Sequence, residues 1–143
     1  MSARKTFDLC LVTPEGAAFE GEAEMVVVPG AAGEIGVLAR HAPLIATLKA
    51  GSTRVYLNYD AEDVREYATG TGFFQVLEDR AIALVDDAVQ ADDIDDARAQ
   101  QQLDDARAEL EKLEAGDSTA DRWQLEQRIR HAENQLRVSG AAG

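Results

Sequence analysis

The sequence predicts an all-β N-terminal antiparallel sandwich followed by a C-terminal α-helical hairpin, divided as residues 1–90 and 91–143. Three observations carry that expectation. The spacing of apolar residues changes near residue 90, from every second position to the three-and-four spacing of a helix stripe. Seven of the eight aromatic residues (Phe7, Phe19, Tyr56, Tyr59, Tyr67, Phe73 and Phe74) and all three prolines come before that point, leaving only Trp123 after it. Turn-forming clusters recur at the roughly 8–12-residue intervals of a sandwich or barrel, with no strand–helix–strand alternation between them.

In the first segment Phe7, Leu9 and Leu11 alternate, as do Val55, Leu57 and Tyr59, and then Ile82 and Leu84. A period of two marks strands with one buried face, formed by the alternating apolar residues. Breakers separate these runs: Thr13-Pro14-Glu15-Gly16, Pro29 to Gly33, Lys49-Ala50-Gly51, Asp60 to Asp63, and Gly70-Thr71-Gly72. Cys10, flanked by Leu9 and Leu11, is expected in the buried core.

In the second segment Leu103, Ala106, Leu110 and Leu113 form one helical stripe, and Leu125, Ile129, Ala132 and Leu136 form another. Asp93 is expected to cap the first helix, with Asp95 and Asp96 in its first turn, where the helix dipole favours negative charge. Ala115 to Ala120, containing Gly116, reads as the linker, and Ser118 with Asp121 resembles a capping box opening the second helix. Residues 91–121 hold 11 acids and 3 bases, whereas residues 122–143 hold 2 acids and 4 bases. An acidic helix thus faces a basic one, each exposed contact contributing about 0.2–1 kcal/mol. Burying the six large anchors (Leu103, Leu110, Leu113, Leu125, Ile129 and Leu136) contributes roughly 1.5–3 kcal/mol each. Ordering the hairpin costs more, at about 1–2 kcal/mol per residue for the backbone alone. It is expected to lean on the sandwich or on a partner.

Composition narrows the function. The 143-residue chain is 45% hydrophobic, which supports a packed core, and its formal charge of −13 disfavours nucleic acid and anionic lipid as partners. One cysteine excludes an internal disulfide and fits a reducing compartment. No apolar run reaches the roughly 20 residues of a membrane span.

Catalytic constellations are not evident. The two histidines, His41 and His131, lie in different segments, and one cysteine with two scattered histidines gives no zinc spacing. The Asp92 to Asp96 cluster fails as a calcium loop, because Arg98 stands at the sixth place from Asp93, where glycine is required. Gly30, Gly33 and Gly36 precede no helix that could present amides to a phosphate.

Two stretches remain: Gly33-Glu34-Ile35-Gly36 with Arg40-His41-Ala42-Pro43-Leu44, and Ile94-Asp95-Asp96-Ala97-Arg98-Ala99. With the opening Phe7 to Pro14 strand, they occur in the order and at the spacing of one family. The chain resembles, over nearly its whole length, the epsilon subunit of bacterial F-type ATP synthase. It departs from the family pattern at Thr69 to Phe74, where the family usually reads Ser/Thr-Gly-Gly-Phe.

The resemblance implies a non-catalytic rotor component that requires no cofactor. Its sandwich would sit on the gamma subunit and touch the polar loops of the c-ring, with Glu34, Gly36 and His41 in the contact loop. Its hairpin would be a movable brake, compact against the sandwich or extended into the alpha/beta hexamer to obstruct ATP hydrolysis. Some members hold a regulatory ATP with the segment matched by Ile94, Asp95, Arg98 and Ala99 and with basic residues of the second helix. Here Arg122, Arg128 and Arg130 are the basic candidates, although they fall out of the family register, and His131 and Gln135 stand where nucleotide-binding relatives carry arginines. The resemblance also implies a peripheral place on the cytoplasmic face of the bacterial inner membrane, without insertion. The start at Met1 without an arginine-rich transit segment is expected of a bacterial chain. Two other classes fit the residues alone: a stand-alone acidic adaptor for a basic protein, and a small hydrolase using the Asp92 to Asp96 carboxylates.

Overall fold

The structure, a computed structural model, describes residues 5–58, 60 and 63–140. Tyr59 and part of the expected turn at Asp60 to Asp63 lie outside the described residues. Ten strands follow one another: β1 (Phe7–Thr13), β2 (Gly16–Ala23), β3 (Met25–Gly30), β4 (Gly33–Leu38), β5 (Leu44–Leu48), β6 (Gly51–Asn58), β7 (Asp63–Thr69), β8 (Gly72–Leu77), β9 (Arg80–Val85) and β10 (Ala88–Gln90). After a 3-10 turn at Ala91–Asp93 come α1 (Asp96–Glu114) and α2 (Arg122–Ser139). The chain forms two compact units, 1–91 and 92–143.

The strands make two five-stranded layers, β10–β7–β6–β3–β4 and β5–β8–β9–β1–β2. They join at one corner, where Gly30 pairs with Leu48 and the Ala31 and Lys49 amides donate across it to Thr47 and Pro29. The inner faces enclose a core that includes Phe7, Leu9, Leu11, Val26, Val28, Val37, Leu48, Val55, Phe74 and Val76. Pairing is antiparallel apart from one contact, a departure from the wholly antiparallel expectation. β1 lies parallel to β9, Asp8 to Val12 beside Arg80 to Leu84. The ninth strand returns beside the first running the same way, a pairing between strands too far apart in sequence for a local pattern to reveal.

The expected buried phase of β9 is reversed. Ala81, Ala83 and Val85 face the core at 0%, 1% and 5% exposure, while Ile82 is half-buried and Leu84 points outward. All five residues from Ala81 to Val85 are apolar, so a period of two fits either phase. Tertiary packing chooses between them. Cys10 is likewise half-exposed, because it shares the outward phase of β1 with Asp8 and Val12.

Two turns explain how β8 and β9 are pinned. At one end a Cβ on Gly72 would lie 1.8 Å from the Leu84 carbonyl oxygen, so only glycine permits this approach. Alongside it, Gly70 N–H donates to Asp87 O, Asp86 N–H donates to Thr71 O, and the Thr71 hydroxyl donates to Asp86 Oδ2 at 3.2 Å. That is how the departure at Thr69 to Phe74 is seated. At the other end Glu78 and Asp79 form a two-residue turn with φ of 51° and 56°, while Leu77 pairs with Arg80. Both positions favour Asn or Gly, neither of which is present, which is why no turn was legible there.

The helical unit also shifts its caps. Asp95, rather than Asp93, caps α1 by accepting the Arg98 N–H at 3.1 Å, and Asp92 and Asp93 belong to the preceding 3-10 turn. Asp121, rather than Ser118, caps α2 by accepting the Trp123 N–H at 2.9 Å. Ser118 instead donates to Glu109 and accepts from the Ala120 N–H. α1 ends in a Schellman turn: Gly116 takes φ of 82°, its N–H donates to Leu113, and that of Asp117 donates to Lys112. The seam joins Ala99 and Leu103 to Ala132 and Leu136, with Ile129 packed beside them.

Replacing Gly72 by alanine is expected to lower unfolding free energy on the order of 3 kcal/mol, measured by urea titration, because the obstacle is backbone. Gly36→Ala, where a Cβ meets open space, is expected to stay within about 0.5 kcal/mol.

Candidate functional site

Three places hold the residues singled out by the sequence. The first is β4, an edge strand whose pairing is with β3. Glu34 and Gly36 lie on its outward phase, while Ile35 and Val37 turn inward, the latter fully buried. Glu34 Oε2 lies 3.1 Å from Nη2 of Arg54, which comes from β6. The Arg54 guanidinium is held above its ordinary pKa, first by its hydrogen bond to the Tyr56 hydroxyl and then by the Glu34 carboxylate; partial burial works against both.

His41 is elsewhere. It follows the far end of β4, about 13 Å of strand beyond Glu34 at roughly 3.3 Å per residue, so the three residues do not share one loop as expected. The alternation of strand directions puts the 31–32 turn beside Glu34 at one end of the sandwich and the 39–43 connection at the other. His41 Nδ1 lies 2.6 Å from the Ala42 carbonyl oxygen. Its neighbour Arg40 takes φ of 63°, and the Arg40 N–H donates to the Asp79 carboxylate. The positive-φ non-glycine residues Arg40, Glu78 and Asp79 therefore meet at this end, a concentration of backbone strain.

The second place is the outer face of β5–β8–β9–β1, which sequence reasoning missed. Ile45 is 77% exposed, Phe73 62%, Leu84 53% and Leu77 49%. Cross-strand register sets Phe73 opposite Leu84 and Leu84 beside Val12, while Ile45 lines up through Gln75 with Ile82 and Cys10, and Leu77 pairs with Arg80 at the margin. Contiguous apolar surface of this kind marks a contact with another macromolecule. The signal lay in Phe73-Phe74 and Ala81 to Val85, stretches apolar in both phases.

The third place is the start of α1. Ile94 is half-buried, Ala99 is in the helix seam, and Asp95 is occupied in capping. Arg98 is exposed, and Asp95 receives its backbone N–H rather than its guanidinium. Arg122 lies 3.4 Å from Glu114, at the opposite end of α1. Sixteen helical steps separate Arg98 from Glu114, about 24 Å at 1.5 Å per residue, so Arg122 does not join Arg98 around one phosphate chain. Arg128 and Arg130 are exposed on α2. The two helices are also tied by Arg107 to Glu133 at 3.4 Å, in which the acidic helix supplies the base.

Among the described residues no group of three or more His, Cys, Asp or Glu is placed to hold a metal ion, and no helix is long and apolar enough to cross a membrane. A sandwich with a bare apolar face and an ion-paired edge strand, continued by a helical hairpin, is the form of an assembly subunit. Residues 6–91 match the family model described as "ATP synthase, Delta/Epsilon chain, beta-sandwich domain". The ATP synthase epsilon chain of Rubrobacter xylanophilus is 38% identical over 136 residues, covering 93% of this chain and 91% of that one. The epsilon chain of Desulforamulus reducens is 42% identical over 90 residues, covering 63% and 66%. The chain belongs to the ATP synthase delta/epsilon family, among its epsilon chains. Two solved structures share its fold. A chain from the Euglena gracilis mitochondrial ATP synthase, in a structure of OSCP, F1 and c-ring, aligns with TM-score 0.71 at 21% identity, covering 100% of this chain and 85% of that one. A chain from the Tetrahymena thermophila mitochondrial ATP synthase central stalk and c-ring aligns with TM-score 0.55 at 12% identity, covering 99% and 98%.

Capping and ligand roles at the third place separate by mutation. Asp95→Ala is expected to destabilise the hairpin by about 1 kcal/mol, read as lost helical circular dichroism on heating. Arg98→Ala is expected to stay within about 0.5 kcal/mol.

Proposed function

We propose that this chain, a non-catalytic central-stalk subunit of an F-type ATP synthase, divides its work between its two units. The sandwich grips the gamma subunit and meets the polar loops of the c-ring, so that rotation of the ring reaches the catalytic head. The observation that carries this reading is the apolar outer face of β5–β8–β9–β1. Phe73, Leu84 and Ile45 stand on rigid paired strands, so little conformational entropy is lost when a partner covers them. Gamma is the occupant of that face. Glu34, at the end bearing the 31–32 turn, offers an acceptor to the c-ring loops, and His41 belongs to the opposite end.

The hairpin is the brake. Its buried apolar residues are three alanines and three leucines, Ala99, Ala106, Ala132, Leu103, Leu125 and Leu136, a modest area, so an alternative docking inside the alpha/beta hexamer needs to differ by only a few kcal/mol. The complex holds the chain peripherally, at the cytoplasmic face of a bacterial inner membrane. No cofactor is needed for this work. A regulatory ATP would have to be held by Arg98 with groups other than Arg122, and heat on titrating millimolar ATP into the isolated chain is the measurement for it.

Phe73→Glu is expected to leave the thermal melt of the chain within a few degrees of the parent while reducing its capture on gamma at least ten-fold, because a carboxylate then replaces the largest exposed side chain of the apolar face. Capture at parental strength would remove that face from the gamma contact. Truncation after Ala91 is expected to leave gamma binding intact and raise ATP hydrolysis by the assembled enzyme. Unchanged hydrolysis would mean that the hairpin is no brake.

A further inference from the structure

Glu34 is not a bare carboxylate. It stands on an exposed edge strand, where a glutamate ordinarily samples many rotamers, yet Arg54 reaches it from two strands away. The guanidinium is fixed from both sides, Nη2 at 3.1 Å from Glu34 Oε2 and Nε at 3.4 Å from the Tyr56 hydroxyl. Between them in register lies Val27, opposite Gly36 on β4 and Arg54 on β6. Gly36 contributes no side chain to that lane, and Val27, although on the outward phase of β3, is only 9% exposed. The span from Arg54 to Glu34 therefore crosses a low, closed floor. Arg54 is the less exposed member of the pair, 31% against 63% for Glu34, so the anchor is the better-held partner.

We propose that Arg54 is a positioning residue for Glu34, fixing its carboxylate so that Oε1 faces outward for a donor on the c-ring loops. This rests on the reading that Glu34 makes that contact. The pair takes the ordering of a flexible glutamate out of the binding step and settles it within the folded chain. It also leaves Glu34 partly neutralised, so recognition depends on short-range geometry more than on distant attraction. Tyr56 is the second link, holding the guanidinium at Nε while Nη2 serves Glu34. Gly36 gains a role as well, since a long side chain there would stand beside the path of the arginine.

The test returns the full-length chain to an F-type ATP synthase stripped of this subunit, reading affinity together with ATP-driven proton pumping. Glu34→Gln and Arg54→Gln are each expected to weaken rebinding roughly five-fold or more, with the double variant no weaker than either alone. Arg54→Lys is expected to recover part of the loss, since it keeps the charge and loses the fork. A charge-reversed variant, Glu34→Arg with Arg54→Glu, keeps an ion pair and is expected to melt as the parent does yet bind as poorly as Glu34→Gln. If Arg54→Gln rebinds normally while Glu34→Gln does not, the positioning role is wrong and the Glu34 contact survives. If the charge-reversed chain rebinds normally, the pair serves stability alone and the proposal is overturned. If Glu34→Gln itself rebinds normally, the contact reading fails and takes the proposal with it.

Discussion

The close approach of β8 to β9 at Gly72 decides most of what this sandwich can do. A Cβ there would collide with the Leu84 carbonyl oxygen, so only glycine permits the register that runs from Gly72 opposite Val85 to Leu77 opposite Arg80. Side chains alternate strictly along a strand, so a slip of one residue would exchange the two faces. The register sends Phe74, Val76, Ala81, Ala83 and Val85 into the core and leaves Phe73, Leu77 and Leu84 outside. The register that this contact permits sets both the packing of the interior and the apolar side chains left outside. The small inward residues Ala81 and Ala83 belong to the same solution, since the larger apolar residues of that strand are the ones turned outward.

How much of this was legible follows from where local pattern has a unique reading. The change of period near residue 90 has one, and so do the turns built on Pro14-Glu15-Gly16 and Gly30-Ala31-Ala32-Gly33. Phe7, Leu9 and Leu11 alternate with polar or small neighbours, and all three are buried. β9 has two readings, because both of its faces are apolar, and the core takes the Ala81, Ala83 and Val85 phase rather than that of Ile82 and Leu84. The Glu78–Asp79 turn carries no signal, its two left-handed residues being held by the strands on either side and by the Arg40 link. The caps moved by two or three residues because runs of aspartate or serine offer several acceptors, and only the helix stripe, fixed in space, selects which is used.

The candidate residues obey the same division. Glu34 and Gly36 lie where a strand reading puts them, on one face of β4, but Arg54 could not have been attached to Glu34 from sequence, since their pairing depends on β3 lying between β4 and β6. His41 looked close to Glu34 along the chain and is remote in the fold, because the strand between them is extended. Arg98 and Arg122 show the converse hazard. They belong to neighbouring helices, yet an antiparallel hairpin puts the first turn of one beside the last turn of the other.

Energetics then separates the two units by kind. The sandwich is held by a core drawn from nearly every strand and by continuous backbone pairing, and such an assembly opens cooperatively. The hairpin is held by three buried leucines (Leu103, Leu125 and Leu136), a few alanines, and exposed ion pairs such as Arg122 with Glu114, each pair contributing little in water. Helices of 18 or 19 residues in a folded protein draw most of their stability from the packing of an apolar face rather than from helix propensity. A tail of this kind takes its position from whatever surface covers it, and competition between surfaces can move it at small energetic cost. A head with a broad core and a fixed apolar face is thus followed, in one short chain, by a tail with a much smaller core of its own.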